Sequence, residues 1–265
     1  MQKPKLNLKH CLNAKEYRMK ILACYSNKGG VGKTATSVNL ALSFAKAGYR
    51  TLLCDLDPQG ASGYYFRVKP SKKLTNEKFF KNIENFASAI RGSDYDNLDI
   101  LPANMTFRDF DVFLSRMKKP KSQLTKALEN VNEDYDIIIL DCPPNISSLS
   151  ENVFRAADHI VIPVIPTTLS ERTLEQLVTF FDENKIDIKK MVPFFSMVQR
   201  QKRMHTETMK RLKNVYPKMF LNEPIPFSTD IELMGLHRAP VATFAKSRPA
   251  ASAYNELWTE LMTKI

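Results

Sequence analysis

Short apolar runs alternate along this chain with stretches of helical spacing. Residues 21–25, 51–56, 98–101, 135–140, 160–165 and 192–197 read as strands. Ile137, Ile138, Ile139 and Leu140 follow one another without a polar residue, which predicts a strand covered on both faces, as in a parallel sheet. Val38, Leu42 and Ala45 recur at helical spacing over 34–47, and Gly48 stands where such a helix would end. Helices are predicted likewise over 147–157, 170–181, 204–216 and 250–265, with Ser170 capping the second of these. Residues 67–92 and 107–132 carry weaker helical spacing, the latter broken at Pro120, and 223–226 reads as a short edge element. Strand–helix alternation in this order predicts an α/β fold: a single doubly wound, mostly parallel sheet with helices on both faces. Residues 1–19 stand apart, because Lys3, Lys5, Lys9, Lys15 and Arg18 face only Glu16. They are expected to form a basic flexible arm ahead of a folded body at 20–265.

Composition narrows the function classes. No apolar run approaches the roughly 20 residues of a spanning helix, and the N-terminus lacks the apolar core of a secretory signal. The four cysteines, at 11, 24, 54 and 142, form no Cys-x-x-Cys pair, so buried reduced thiols are expected rather than a zinc or disulfide framework. Lysine and arginine total 39 against 28 acids, a net charge of +11 that suggests a polyanionic partner. Only 8 of 265 residues are glycine, yet Gly29, Gly30 and Gly32 fall within four positions. A chain that avoids glycine elsewhere needs bare backbone there.

That segment reads Lys28-Gly29-Gly30-Val31-Gly32-Lys33-Thr34, after an apolar run and before an amphipathic helix. This is the context of a phosphate loop, in which glycine amides turn inward and a helix N-terminus adds free donors. Lys33 would reach the β and γ phosphates and the Thr34 hydroxyl would coordinate Mg²⁺. Gly29, Gly30, Val31, Gly32, Lys33, Thr34 and Ala35 form the expected nucleotide-binding set. Lys28 is additional. Lys33 already fills the cradle, so a second ammonium on the opposite arm is expected to point outward. There it is either solvated or reaches the nucleotide of a facing subunit and offsets charge during phosphoryl transfer. Asp55 and Asp57 end one strand at a spacing of two, so both are expected on one face of the crevice at the carboxyl ends of the strands. Asp141 ends the apolar run 137–140 and is placed to serve a cation, usually through water for Mg²⁺.

The loop, together with Asp55-Leu56-Asp57-Pro58-Gln59-Gly60 and Asp141-Cys142-Pro143-Pro144, resembles the ParA/Soj-type partition ATPases, deviant Walker A members of the ParA/MinD superfamily of P-loop NTPases. The resemblance runs from about Lys20 to the C-terminus. It implies ATP and Mg²⁺ as cofactors and an ATP-sandwich homodimer. By it, Lys28, Lys33 and Asp57 carry catalysis, with Asp57 orienting the attacking water. Thr34, Asp55 and Asp141 would serve the metal, and Pro226 would join the nucleotide set. Residues 58–60 would form a switch loop. No His or Glu with a general-base role lies near these motifs, so hydrolysis is expected to be slow, stimulated by a ParB-like partner or cargo adaptor.

The richest basic stretch, 189–218, supplies the expected non-specific DNA surface through Arg200, Lys202, Arg203, Lys210, Arg211 and Lys213. The family often carries arginines just after its last Ile-Pro, but here Ile225-Pro226 is followed by Phe227-Ser228-Thr229-Asp230. Arg200–Arg203 and the N-terminal arm are therefore expected to carry more of that surface. About 19 residues precede the fold, too few for an operator-binding helix-turn-helix domain. The expected setting is cytoplasmic and nucleoid-associated. A MinD-like membrane-cycling ATPase is one alternative. The final helix, with Tyr254, Leu257, Trp258 and Leu261 on one side, also carries Glu256 and Glu260 and only Lys264 as a base, so docking on the core is expected instead of membrane binding. A P-loop small-molecule ligase or kinase is the other, and Lys28 argues against it.

Overall fold

Each predicted apolar run becomes a strand in the computed structural model, which describes residues 18–71, 75, 79 and 83–265. The strands are β1 (Lys20–Cys24), β2 (Thr51–Asp55), β3 (Arg91–Gly92), β4 (Leu98–Leu101), β5 (Ile137–Asp141), β6 (His159–Val164) and β7 (Met191–Phe195). They form one sheet in the order β3-β4-β2-β5-β1-β6-β7. All neighbours are parallel except β3, which runs antiparallel to β4. The central strands β2 and β5 are buried along their whole length, as a double-covered sheet requires. Alternation assigns the two faces: Ile138 and Leu140 pack with one apolar cluster, and Ile137 and Ile139 with the other.

The first face is covered by α3 (Ile83–Ala89), α4 (Phe110–Ser115), α5 (Gln123–Glu129), α6 (Ser148–Ala156), α7 (Thr168–Glu183) and α8 (Arg203–Val215). The second is covered by α1 (Lys33–Lys46), α9 (Thr229–His237), α10 (Val241–Phe244) and α11 (Pro249–Leu261). α1 ends as its sequence suggests. Gly48 takes a left-handed φ of 93°, its amide donates to Ala45 O, and the Tyr49 amide donates to Phe44 O. That pair of bonds is a Schellman motif, and it satisfies two of the helix's last carbonyls. The final helix docks on the core: Tyr254, Leu257 and Leu261 are buried and Trp258 meets Phe44 edge-on. The apolar face a membrane would use is thus occupied by α1. Among the described residues no helix is long and apolar enough to cross a membrane.

Several elements depart from the pattern. Part of 67–92, like arm residues 1–17, lies outside the described residues. Within the described part α3 is helical, but Arg91–Gly92 forms an edge strand where a helix was expected. The 107–132 stretch breaks into α4, which a 3₁₀ turn at Met105–Asp109 leads into, and α5, which follows a second 3₁₀ turn at Pro120–Ser122. Segment 223–226 contributes only a single bridge, Val198 to Pro226. The helix predicted to start at Ser170 starts at Thr168. Thr167 has the extended backbone of a cap and its hydroxyl accepts the Ser170 amide, so Ser170 is the third helical residue. A short helix, α2 (Ala61–Tyr65), and the helices α9 and α10 had no counterpart in the periodicity.

Candidate nucleotide-binding site

The sheet order brings β2, β5 and β1 side by side, and their carboxyl ends carry the charged residues. Asp55 and Asp141 are register partners on adjacent parallel strands, and Cys24, the last residue of β1, is the register partner of Asp141 on its other side. The glycine loop therefore leaves β1 directly above two carboxylates. Gly30 and Gly32 have φ of +70° and +96°. Left-handed residues among right-handed ones turn successive amides toward one concave side. The left-handed backbone favours glycine at 32, and a Cβ there would also lie 3.2 Å from Ser196 Oγ, close enough that the serine would have to shift. The Ser196 hydroxyl in turn donates to Val31 O at 2.9 Å, tying the end of β7 to the loop.

Lys33 opens α1 and curls back over the loop, its Nζ 3.2 Å from Lys28 O. It is buried, which pushes its pKa down, while Asp141 and other anions push the opposite way. Asp141 is fully buried. Its oxygens accept from Ser37 Oγ at 3.0 Å and Ser62 Oγ at 2.8 Å. Burial raises its pKa, and hydrogen bonds from Ser62, Thr34 and Ser37 and the Lys33 charge hold it back. Asp55 accepts the amides of Ser62 at 2.9 Å and Gly63 at 3.3 Å through one oxygen and that of Asp57 at 3.2 Å through the other. Burial and then the neighbouring Asp141 charge raise its pKa well above the usual carboxylate range.

Asp57 reaches the crevice by another route than a period of two. β2 ends at Asp55, so the alternation argument does not extend to Asp57. The chain turns instead, the Asp57 amide bonds back to Asp55, and Asp57 Oδ1 accepts the Gln59 amide at 3.0 Å. Gly60, with φ of 67°, then starts α2. Pro226 pairs with Val198, two residues beyond Ser196. Lys28 differs from its expected outward course: its Nζ lies 3.3 Å from Ser170 Oγ on α7 of the same chain.

Two carboxylates and the Thr34 hydroxyl form a hard oxygen set that suits Mg²⁺. Among the described residues no group of three or more His, Cys, Asp or Glu could hold a metal. The set is thus too small to hold a cation unaided, and it fits one that arrives with phosphate oxygens and waters. Ser37, Ser62 and Ser196 were missed in the sequence. Ser37 follows Lys33 by one helical turn, a spacing that was available as a signal. Ser62 and Ser196 come from elements distant in sequence and gave none.

The six predicted basic residues sit on α8 and the loop before it. Arg200, Lys202, Arg203, Lys210 and Arg211 are exposed and Lys213 is half-buried. Three of them have partners. Arg203 pairs with Glu207 at 2.7 Å, Lys213 donates to Asn222 at 3.4 Å, and Arg211 grips Glu171 on α7 through two oxygens, at 2.8 and 2.5 Å. His205 is buried and accepts the Gln199 amide at 3.2 Å, which fixes the loop that carries Arg200 and Lys202.

Residues 19–194 match the family model described as an AAA domain. Sporulation initiation inhibitor protein Soj of Bacillus subtilis is 28% identical over 248 residues, covering 91% of this chain and 98% of its own length. Among solved structures, a McdA variant in complex with ATP from Cyanothece has a TM-score of 0.79 at 20% identity, covering 92% of this chain and 96% of that one. Cobyrinic acid a,c-diamide synthase from Mycobacterium smegmatis, with a bound ATP analogue and magnesium, has a TM-score of 0.76 at 25% identity, covering 92% and 94%. The family match takes in the glycine loop, Asp55, Asp57 and Asp141, and the chain belongs to that AAA-domain family, as a ParA/Soj-type member of the ParA/MinD superfamily of P-loop ATPases.

Proposed function

We propose that this chain is an ATP-driven switch that positions or segregates a cargo along DNA. ATP with Mg²⁺ closes two copies face to face, the closed dimer binds DNA without reading sequence, and hydrolysis releases it. The observation that carries this is the convergence of Lys33, Asp55 and Asp141 beneath a glycine loop that begins with a second lysine. The loop amides, Lys33 and Pro226 hold the nucleotide. Thr34, Asp141 and Asp55 hold Mg²⁺, which neutralises phosphate charge when bound. Asp57 orients the attacking water, and Lys28 crosses to the partner's phosphates. With no tuned general base at hand, turnover rests on positioning and is slow until a ParB-like partner or cargo adaptor stimulates it. The switch works in the cytoplasm on the nucleoid, without a membrane.

Dimerisation finds support in the exposed apolar residues. Tyr64, Met105, Ile146 and Leu169 are 52%, 63%, 42% and 65% exposed, and they follow the carboxyl ends of β2, β4, β5 and β6 respectively. Four large apolar side chains on one rim of the sheet are what a face-to-face partner would cover. A ligase reading draws on the likeness to cobyrinic acid a,c-diamide synthase, and unstimulated turnover on a small acid would establish it.

Retention on DNA tests the proposal. The wild-type chain is expected to be retained with ATP and lost with ADP or no nucleotide. Arg203→Glu and Lys210→Glu should each weaken retention about tenfold and flatten its salt dependence, since each removes about one phosphate contact. Glu171→Gln should strengthen it, because Arg211 is then free to meet a phosphate. Equal retention in every nucleotide state would contradict the switch.

A further inference from the structure

Lys28 is held by its own chain. Its Nζ lies 3.3 Å from Ser170 Oγ, and an ammonium has only donors, so the hydroxyl accepts. The hydroxyl's other contact is Thr167 Oγ1 at 3.1 Å, which also accepts the Ser170 amide at 3.4 Å. Lys28 lines one small pocket together with Ser170, Val31, Val164 and Leu174. The holding group is neutral. The nearest acid along α7, Glu171, is committed to Arg211.

We propose that Ser170 is a positioning residue: it holds Lys28 on its own chain in the monomer and yields it to the triphosphate of a second copy on closure. This rests on the reading in which Lys28 acts across the dimer. A hydroxyl is a single neutral acceptor, whereas phosphate oxygens meet the ammonium with full opposite charge as well as a hydrogen bond. The ammonium therefore leaves Ser170 only when an anionic acceptor arrives, and the strength of the hold sets the threshold for closure. A carboxylate at 170 would match the ammonium's charge and keep it at home.

The test is the dimer dissociation constant, by sedimentation with a non-hydrolysable ATP analogue and Mg²⁺. Ser170→Asp is expected to weaken the dimer about tenfold, because a carboxylate there pairs with the Lys28 ammonium on its own chain. Ser170→Ala should tighten the dimer about 25-fold, about fivefold for the one hydrogen bond released in each of the two copies, and Ser170→Thr should restore the wild-type constant. In a Lys28→Ala background both the Asp and the Ala change should fall silent, which a merely structural role would not produce. If Lys28→Ala weakens the dimer but Ser170→Asp and Ser170→Ala leave it unchanged, or if their effects persist without Lys28, the hold is wrong and the trans role stands. If Lys28→Ala dimerises like wild type, both are wrong.

Discussion

Lys33→Ala is expected to lower ATP turnover on the order of 10²–10³-fold and to remove nucleotide-dependent DNA retention. Lys33 is the buried cation of a site that holds two adjacent buried carboxylates. Its loss would remove the phosphate contact of the proposed site, and it removes the charge that restrains Asp141. Both aspartates already have raised pKa values in the fold, so each contributes stability that is present at low pH and lost as pH rises through the raised value. Without Lys33 the Asp141 value climbs further. The variant should therefore lose more stability relative to wild type at pH 8 than at pH 6. Phosphate release and thermal unfolding at the two pH values measure both effects. Equal turnover, or a stability loss greater at pH 6, would run against this account of the site.

Asp57→Ala should separate hydrolysis from assembly. Its carboxylate organises the turn through Gln59 while remaining partly exposed toward the crevice. Removing it takes away the group that would orient water and leaves the loop, Lys33 and Asp141 in place. Turnover should fall about 10²-fold, as for other groups that act by positioning. The ATP-bound chain should stay on DNA longer than wild type. Dwell times on immobilised DNA after ATP is withdrawn read this out, and release as fast as wild type would assign Asp57 another role.

The nucleotide loop was legible because its signal is local. Glycines, Lys33 and Thr34 lie within six residues, and the strand before and helix after them have strong patterns of their own. The β2 to β5 core was equally plain, since continuous apolar runs have few other uses in a chain of this composition. α9 was invisible for the opposite reason. Its apolar residues do not form a stripe: Met234 is buried, Ile231 is half-buried and Leu236 is 78% exposed. The β3 strand is two residues long and exists only because β4 offers an edge.

The site's supporting hydroxyls were harder still. Ser62, Ser170 and Ser196 reach Asp141, Lys28 and the loop across 79, 142 and 165 positions of sequence. No spacing rule spans such distances, so they become visible only when the sheet order is known. Lys28 is the same kind of case: the loop alone does not show that the first turn of α7 lies within hydrogen-bond distance of its ammonium.

Mass in solution bears most directly on the central claim. With a non-hydrolysable ATP analogue and Mg²⁺ at saturation, the chain of 30.3 kDa should sediment at twice that mass, and return to the single-chain value with ADP. A species that stays at 30.3 kDa with the analogue fully bound would contradict the account, because no second copy would then be present to receive Lys28.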